Sequence, residues 1–269
     1  MGWRRRDAGR LRFAWRRAAV GMAALVTVAA FRADAVGAAE PRFRVRLALP
    51  ASLEPERAAY EADVTAATER VEAFFRSAGL DVPPGGLIDS ATVFETTDAA
   101  RAYLASEAGI PVESVPATFS GTVEGRLMFL VSRSAYHRTW DALYREWRWT
   151  EAEYRRLIVH ELAHRAHEAV VTARFGTADA MGPAWFFEGL AVACAEQFEA
   201  PRPPMTLDEV AAAVGGGRTP PVSYPAYGRI VRSLARSVGW RALIEGAGNP
   251  GFPDALLAPR SLATPAASP

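Results

Sequence analysis

Apolar and polar positions change period along this chain, and each change predicts an element. From Arg42 to Leu49 they alternate, with Phe43, Val45, Leu47 and Leu49 on one side and Arg42, Arg44 and Arg46 on the other. A period of two over eight residues predicts a half-buried strand. Residues 54–78 carry the wider helical period and stop at Gly79, and Pro83-Pro84-Gly85-Gly86 follows as a loop. The pattern predicts a strand over 87–95 and a short helix over 97–108, stopped by Gly109 and Pro111. Two apolar runs, 117–123 and 126–132, flank Glu124-Gly125 and predict a hairpin. From 135 to 246 almost every periodic segment is helical, with breaks at Pro201–Pro204 and Gly215–Pro221.

This order divides the chain into an N-terminal α/β lobe over 39–135, a helical lobe over 136–246, and a Pro-, Ala- and Ser-rich flexible tail over 247–269. Residues 1–38 stand apart. Arginine crowds residues 1–17, Ala18–Phe31 is nearly all apolar, and the small residues Ala33-Asp34-Ala35 and Val36-Gly37-Ala38 follow. That is the layout of a secretory signal, cleaved or kept as a signal-anchor. The apolar run is shorter than the ~20 residues that span a bilayer comfortably. The expected location is therefore outside the cytoplasm: secreted, periplasmic or in the cell envelope. Beyond a signal-anchor no membrane association is expected.

Composition narrows the picture further. Half of the residues are hydrophobic and 23% are charged, which excludes a disordered or collagen-like chain. The overall charge of +1 conceals an asymmetry, because eight of the 31 basic residues, all arginine, lie in residues 1–38 with two acids. The remainder holds 23 arginines against 28 acids, a net of −5. A mildly acidic body argues against nucleic acid as a partner. The single cysteine, Cys194, excludes a disulfide framework and a cysteine-rich metal cluster; in LAVACAEQF it reads as a small buried apolar residue.

The chemistry gathers in TEAEYRRLIVHELAHRAHEAVV, residues 150–171. Thr150 with Glu153 three residues on predicts a capping box, which places His160-Glu161-Leu162-Ala163-His164 inside a helix. His160 and His164 then lie one turn apart on one face and can reach a single cation. Glu161, rotated by about 100°, can touch a water beside that cation without being a ligand. HExxH in this setting points to zinc held by neutral imidazoles with a position left for water.

Two histidines leave the third ligand open. A metzincin spacing fails, because His167 and Val170 stand where glycine and histidine are required. Gly176-Thr177-Ala178-Asp179 has the Gly-Thr-x-Asp form of aspzincins, but Met181-Gly182 replaces the closing Tyr-Gly; Asp179 is read as a turn residue and stays an alternative ligand. His167 shares the face of the other two and is read as a packing residue or a support for them. Trp140, Trp147 and Trp149 are read as packing aromatics, and His137 has no assigned role.

Pro183-Ala184-Trp185-Phe186-Phe187-Glu188-Gly189-Leu190-Ala191 begins the stretch that decides among these readings. HExxH followed by P-x-W-[FL]-x-E-G-[LF]-A resembles the gluzincins, and within them the small peptidase MA-like families, over residues of about 126–246. The resemblance implies that Glu188 is the third zinc ligand. Glu188 in the apolar run WFFEGLAVA needs a partner when buried, Pro183 suits a helix start, and Gly189 permits close approach of a neighbouring helix. Tyr224-Pro225-Ala226-Tyr227, followed by Ile230, Leu234 and Gly239, is similar to the Tyr-led later helix of the family. On that likeness Tyr224 is the donor to the developing oxyanion, with Pro225 at the first helical position and Tyr227 packing a turn deeper. One departure is Val192, where larger relatives carry an acid that orients a histidine; Glu168 or a backbone carbonyl is the substitute.

The resemblance thus implies an α+β, zincin-like fold whose edge strand, at 126–132, binds substrate backbone. It implies a Zn2+-dependent peptidase with His160, His164 and Glu188 as ligands, Glu161 as the base that accepts a proton from the attacking water, and a peptide or protein as substrate. The rival is a zinc-stabilised scaffold that has lost catalysis. Such a domain has no need of Glu161, and a structural zinc site usually has four protein ligands.

Overall fold

The computed structural model describes residues 45–82, 86–200 and 203–257; the signal reading of residues 1–38 lies outside the described residues. In chain order the elements are β1 (Arg46–Ala48), α1 (Arg57–Ser77), β2 (Ser90–Phe94), α2 (Thr97–Ala108), β3 (Gly121–Glu124), β4 (Leu127–Val131), α3 (Arg133–Leu143), α4 (Ala152–Phe175), α5 (Ala184–Cys194), α6 (Leu207–Val214), α7 (Tyr224–Val238), α8 (Trp240–Gly246) and α9 (Asp254–Leu257). The chain is mixed α/β, with helices predominating over a four-stranded mixed sheet. No helix among the described residues is long and apolar enough to cross a membrane. Two compact units are present. One holds the described residues to Thr68 and from Gly86 to Glu161, and the other holds Glu69–Val82 and Leu162–Leu257. Helices α1 and α4 each contribute to both.

The first unit is built on the sheet, in the order β1-β2-β4-β3. β1, β2 and β4 run parallel, and β3 is antiparallel to β4. Ala91, Val93, Met128 and Leu130 point to one face and are fully buried, as the period of two requires. On the other face Phe94 and Phe129 are half-buried beneath Tyr103 of α2, with ring centroids 5.1 and 5.9 Å away. The Thr96 hydroxyl accepts from the Ala99 N–H to cap α2, and Gly109, at φ +63°, ends it. Ser132 caps α3 by accepting from Ala135 N–H and donates its own proton to Glu95 O.

The edge strand differs from expectation. The run at 126–132 is not an edge: β4 lies between β2 and β3, and among the described residues the edges are β1 and, beside β4, β3 at 121–124. The residue types explain this. Leu-Met-Phe-Leu-Val suits a strand paired on both sides, whereas Gly-Thr-Val-Glu, all half-buried, suits an edge.

The start of α4 also departs from the capping box. The Thr150 hydroxyl donates to Glu153 Oε1 at 3.2 Å, and Arg156 donates to the same oxygen at 2.6 Å. The Glu153 carboxylate is thereby held by side chains, and the helix opens at Ala152. The Tyr154 hydroxyl donates to Val131 O at 2.8 Å and ties this first turn to the end of β4. Buried Asp63 of α1 accepts from Arg155 Nε at 2.9 Å and pairs with Arg133, whose guanidinium lies over the Tyr60 and Tyr154 rings.

The second unit is helical. Its centre is the crossing of α5 and α7, where two glycines remove the side chains that would hold the helices apart. A Cβ at Gly189 would stand 2.6 Å from Tyr227 O and 2.6 Å from Val231 Cγ2, and one at Gly228 would stand 2.3 Å from Val192 Cγ1. Replacing Gly189 by alanine drives a methyl into helix backbone that cannot move aside, so we expect a loss of about 2–3 kcal/mol. A denaturant midpoint within error of wild type would show that the crossing is looser than this. Phe74 and Trp240 meet at 4.9 Å, and α6 opens with a capping box of Thr206 and Glu209.

The tail is packed further than its composition suggests. Phe252 lies parallel to Trp185 at 5.8 Å and edge-on to Phe186 at 4.9 Å, and Ala247 is buried. Residues 247–257 are thus folded against α5, because Phe252 and Pro253 supply apolar surface that the small residues around them do not.

Candidate metal centre

Helix α4 presents its apolar residues to the interior: Ile158, Leu162 and Ala166 are fully buried. The 3.6-residue period carries His160, His164 and His167 inward with them, at 6%, 8% and 1% exposure. Glu188 comes from α5, two residues after Phe186, which is wholly buried. The aromatic anchors Trp185 and Phe186 and the α5–α7 crossing hold that helix, and the Glu188 side chain is 16% exposed. Its Oε2 stands 3.2 Å from His164 Nε2.

One ligand atom from each of His160, His164 and Glu188 lies within 4.8 Å of the others. This group can hold a metal ion. The donor set fits one: two imidazole nitrogens and a carboxylate oxygen suit a divalent first-row cation, and a largely buried carboxylate in the otherwise apolar helix α5 is costly without positive charge beside it. Among the described residues no other set of three histidine, cysteine or acidic side chains comes together in this way.

The other residues singled out by sequence fall around this group or away from it. Glu161 is half-buried on the next position of α4. His167 packs edge-on against Phe186 at 5.7 Å, as His164 does against Phe187 at 5.8 Å. Asp179 is exposed in a 3-10 turn, Ala178–Met181, where its N–H donates to the Thr177 hydroxyl, and it is not part of the group. Glu168 lies 3.7 Å from Arg165. Cys194 is wholly buried, and burial pushes its thiol far above the usual range. His137 stacks on Trp149 at 4.4 Å, while buried Trp140 donates its Nε1–H to Trp147 O at 2.8 Å.

Ser223 caps α7, so Tyr224 is its first residue and Pro225 its second, one place later than the sequence suggests. Tyr224 is half-buried. Tyr227 is buried and donates its hydroxyl to Pro220 O at 3.5 Å. Burial raises the Tyr227 phenol, and the Glu188 carboxylate raises it further.

Three neighbours of the site escape a reading by period. Buried Tyr136 of α3 has its phenol pushed well up by burial first, then by the charges of Tyr144, Glu153 and Glu161. Phe187 packs edge-on against His164. Gly121 of β3 lies against Glu161, and the only sequence signal for it is a glycine inside a strand, which marks close approach of another group. Comparison with models of known protein families, with curated proteins and with solved structures finds no match.

Proposed function

We propose that this chain is a zinc-dependent peptidase of gluzincin type on a zincin-like α+β fold, exported by its N-terminal signal. The observation that carries the reading is the convergence of His160, His164 and Glu188, with Glu161 next to the first of them on the same helix. Zinc held there supplies Lewis-acid polarisation of a substrate carbonyl. The Glu161 carboxylate accepts a proton from the attacking water and returns it to the leaving amine. β3, the sheet edge nearest the sequence position expected, offers N–H and C=O groups to an extended peptide. Tyr224, whose neighbour Tyr227 already donates its hydroxyl to Pro220 O, donates its hydroxyl to the oxygen that gains charge.

Three protein ligands favour this reading over a structural zinc site, which closes with four. The test is metal analysis of the purified chain beside a broad peptide library, with and without a chelator. We expect about one zinc per chain, cleavage by the loaded protein, and loss of cleavage on chelation. Tight zinc binding with no cleavage across the library would favour the non-catalytic scaffold.

A further inference from the structure

Gly121 opens the edge strand β3 and pairs in register with Leu130. Its backbone is not left-handed, unlike that of Gly109 or Gly125, so the conformation there does not call for glycine. Glycine in a strand costs stability and contributes no packing; the reason for it lies in space. A Cβ at this position would stand 3.0 Å from Leu130 Cδ2, 3.3 Å from Glu161 Cγ and 3.4 Å from Phe129 O. The volume that any side chain would fill is therefore taken by a Leu130 methyl and by the Glu161 side chain. Leu130 is fully buried between its neighbours, and Phe129 O belongs to a paired strand. Of the three, Glu161 is the half-buried side chain, and the displacement is expected to fall on it.

We infer that Gly121 is a positioning residue for Glu161: by carrying no side chain it lets the glutamate lie against the edge strand, and so sets where the carboxylate stands. This rests on the reading of Glu161 as the proton acceptor of a peptidase. Alanine at 121 presses on Glu161 Cγ and so shifts the carboxylate that this carbon carries. None of the three atoms nearest the added methyl belongs to His160, His164 or Glu188, so the variant is expected to keep its metal.

The test combines Gly121→Ala with Glu161→Gln in the zinc-loaded full chain. We expect Gly121→Ala to keep the zinc content of wild type and to lose kcat by roughly 3- to 10-fold at unchanged KM, since the glutamate has to give by a few tenths of an ångström and a displacement of about 1 Å in a reacting group costs as much as 10²-fold. The double variant should be no slower than Glu161→Gln alone, because the glycine acts only through the glutamate. An unchanged kcat, or a double variant slower by the full factor, overturns the inference. If Gly121→Ala does not fold, adding Leu130→Val relieves the nearer contact and keeps the one with Glu161. The kcat loss must persist relative to Leu130→Val alone, and a wild-type rate there overturns the inference. If the wild-type protein binds zinc and cleaves nothing, it is the peptidase reading that fails. Crystal structures then decide Gly121 separately: a Glu161 side chain displaced in the alanine variant supports the positioning role, and an unmoved one ends it.

Discussion

Replacing Glu188 by alanine is expected to strip zinc from the protein while leaving the metal-free fold as stable as before. The two effects part because the carboxylate has opposite value in the two states. Without a cation, its 16%-exposed side chain sits 3.2 Å from His164 in a helix of Trp, Phe, Leu and Val, and carries a desolvation cost. With a cation it supplies one of three ligands and the only formal negative charge among them. Removing supports that merely orient ligands costs about 10–100-fold in affinity; removing a ligand from a set of three should exceed that. Zinc at 100 times its dissociation constant stabilises a wild-type chain by about 2.7 kcal/mol, and this gain should vanish in the variant. Melting curves with and without zinc, beside metal analysis, read both quantities. A variant that holds zinc as tightly as wild type would remove Glu188 as a ligand and return the third position to buried His167.

Glu161→Gln should behave in the opposite way, keeping zinc and losing hydrolysis. Glutamine matches glutamate in shape, so the contact with β3 and the half-buried setting on α4 are kept. It cannot accept a proton. Positioned acid–base groups contribute about 10²–10⁴-fold, and the loss in kcat should fall in that range with equal zinc content and an unchanged melting temperature. Activity within about tenfold of wild type would remove Glu161 from the chemistry, since the smallest expected effect lies above that. The pair of variants separates ligand from base.

Local pattern accounts for much of the fold. The period and stop signals at 97–108 and the glycine at 109 match α2 and its left-handed end. The hairpin signal at Glu124-Gly125 corresponds to β3 and β4, with Gly125 at φ +57°. The i, i+4 spacing of His160 and His164 already places both on one face of α4. Each of these depends on residues within a turn or two of one another, where covalent geometry and the helical or extended period leave few options.

What the pattern misread was decided at longer range. The run at 126–132 reads as a good strand, but whether it is edge or interior depends on which strands pair with it, and its parallel partner, β2, is more than 30 residues away. At Thr150 the hydroxyl donates to the Glu153 carboxylate, which Arg156 shares, and the Glu153 N–H goes to Thr150 O instead of the hydroxyl that a capping box requires. Phe252 looks like part of a loose tail until Trp185 and Phe186 lie beside it.

The strand and helix periods, the hairpin, the helical setting of HExxH and the apolar run around Glu188 are all legible in the order of residues alone. Long-range packing set the rest: that β3 and not β4 lies at an edge, that Gly121 lies against Glu161, that Gly189 and Gly228 bring α5 and α7 together, and that the Glu188 carboxylate meets His164. The physical reason is that period and capping are properties of neighbouring residues. Pairing and close packing instead join groups tens of residues apart, whose meeting depends on the shape of everything folded between them.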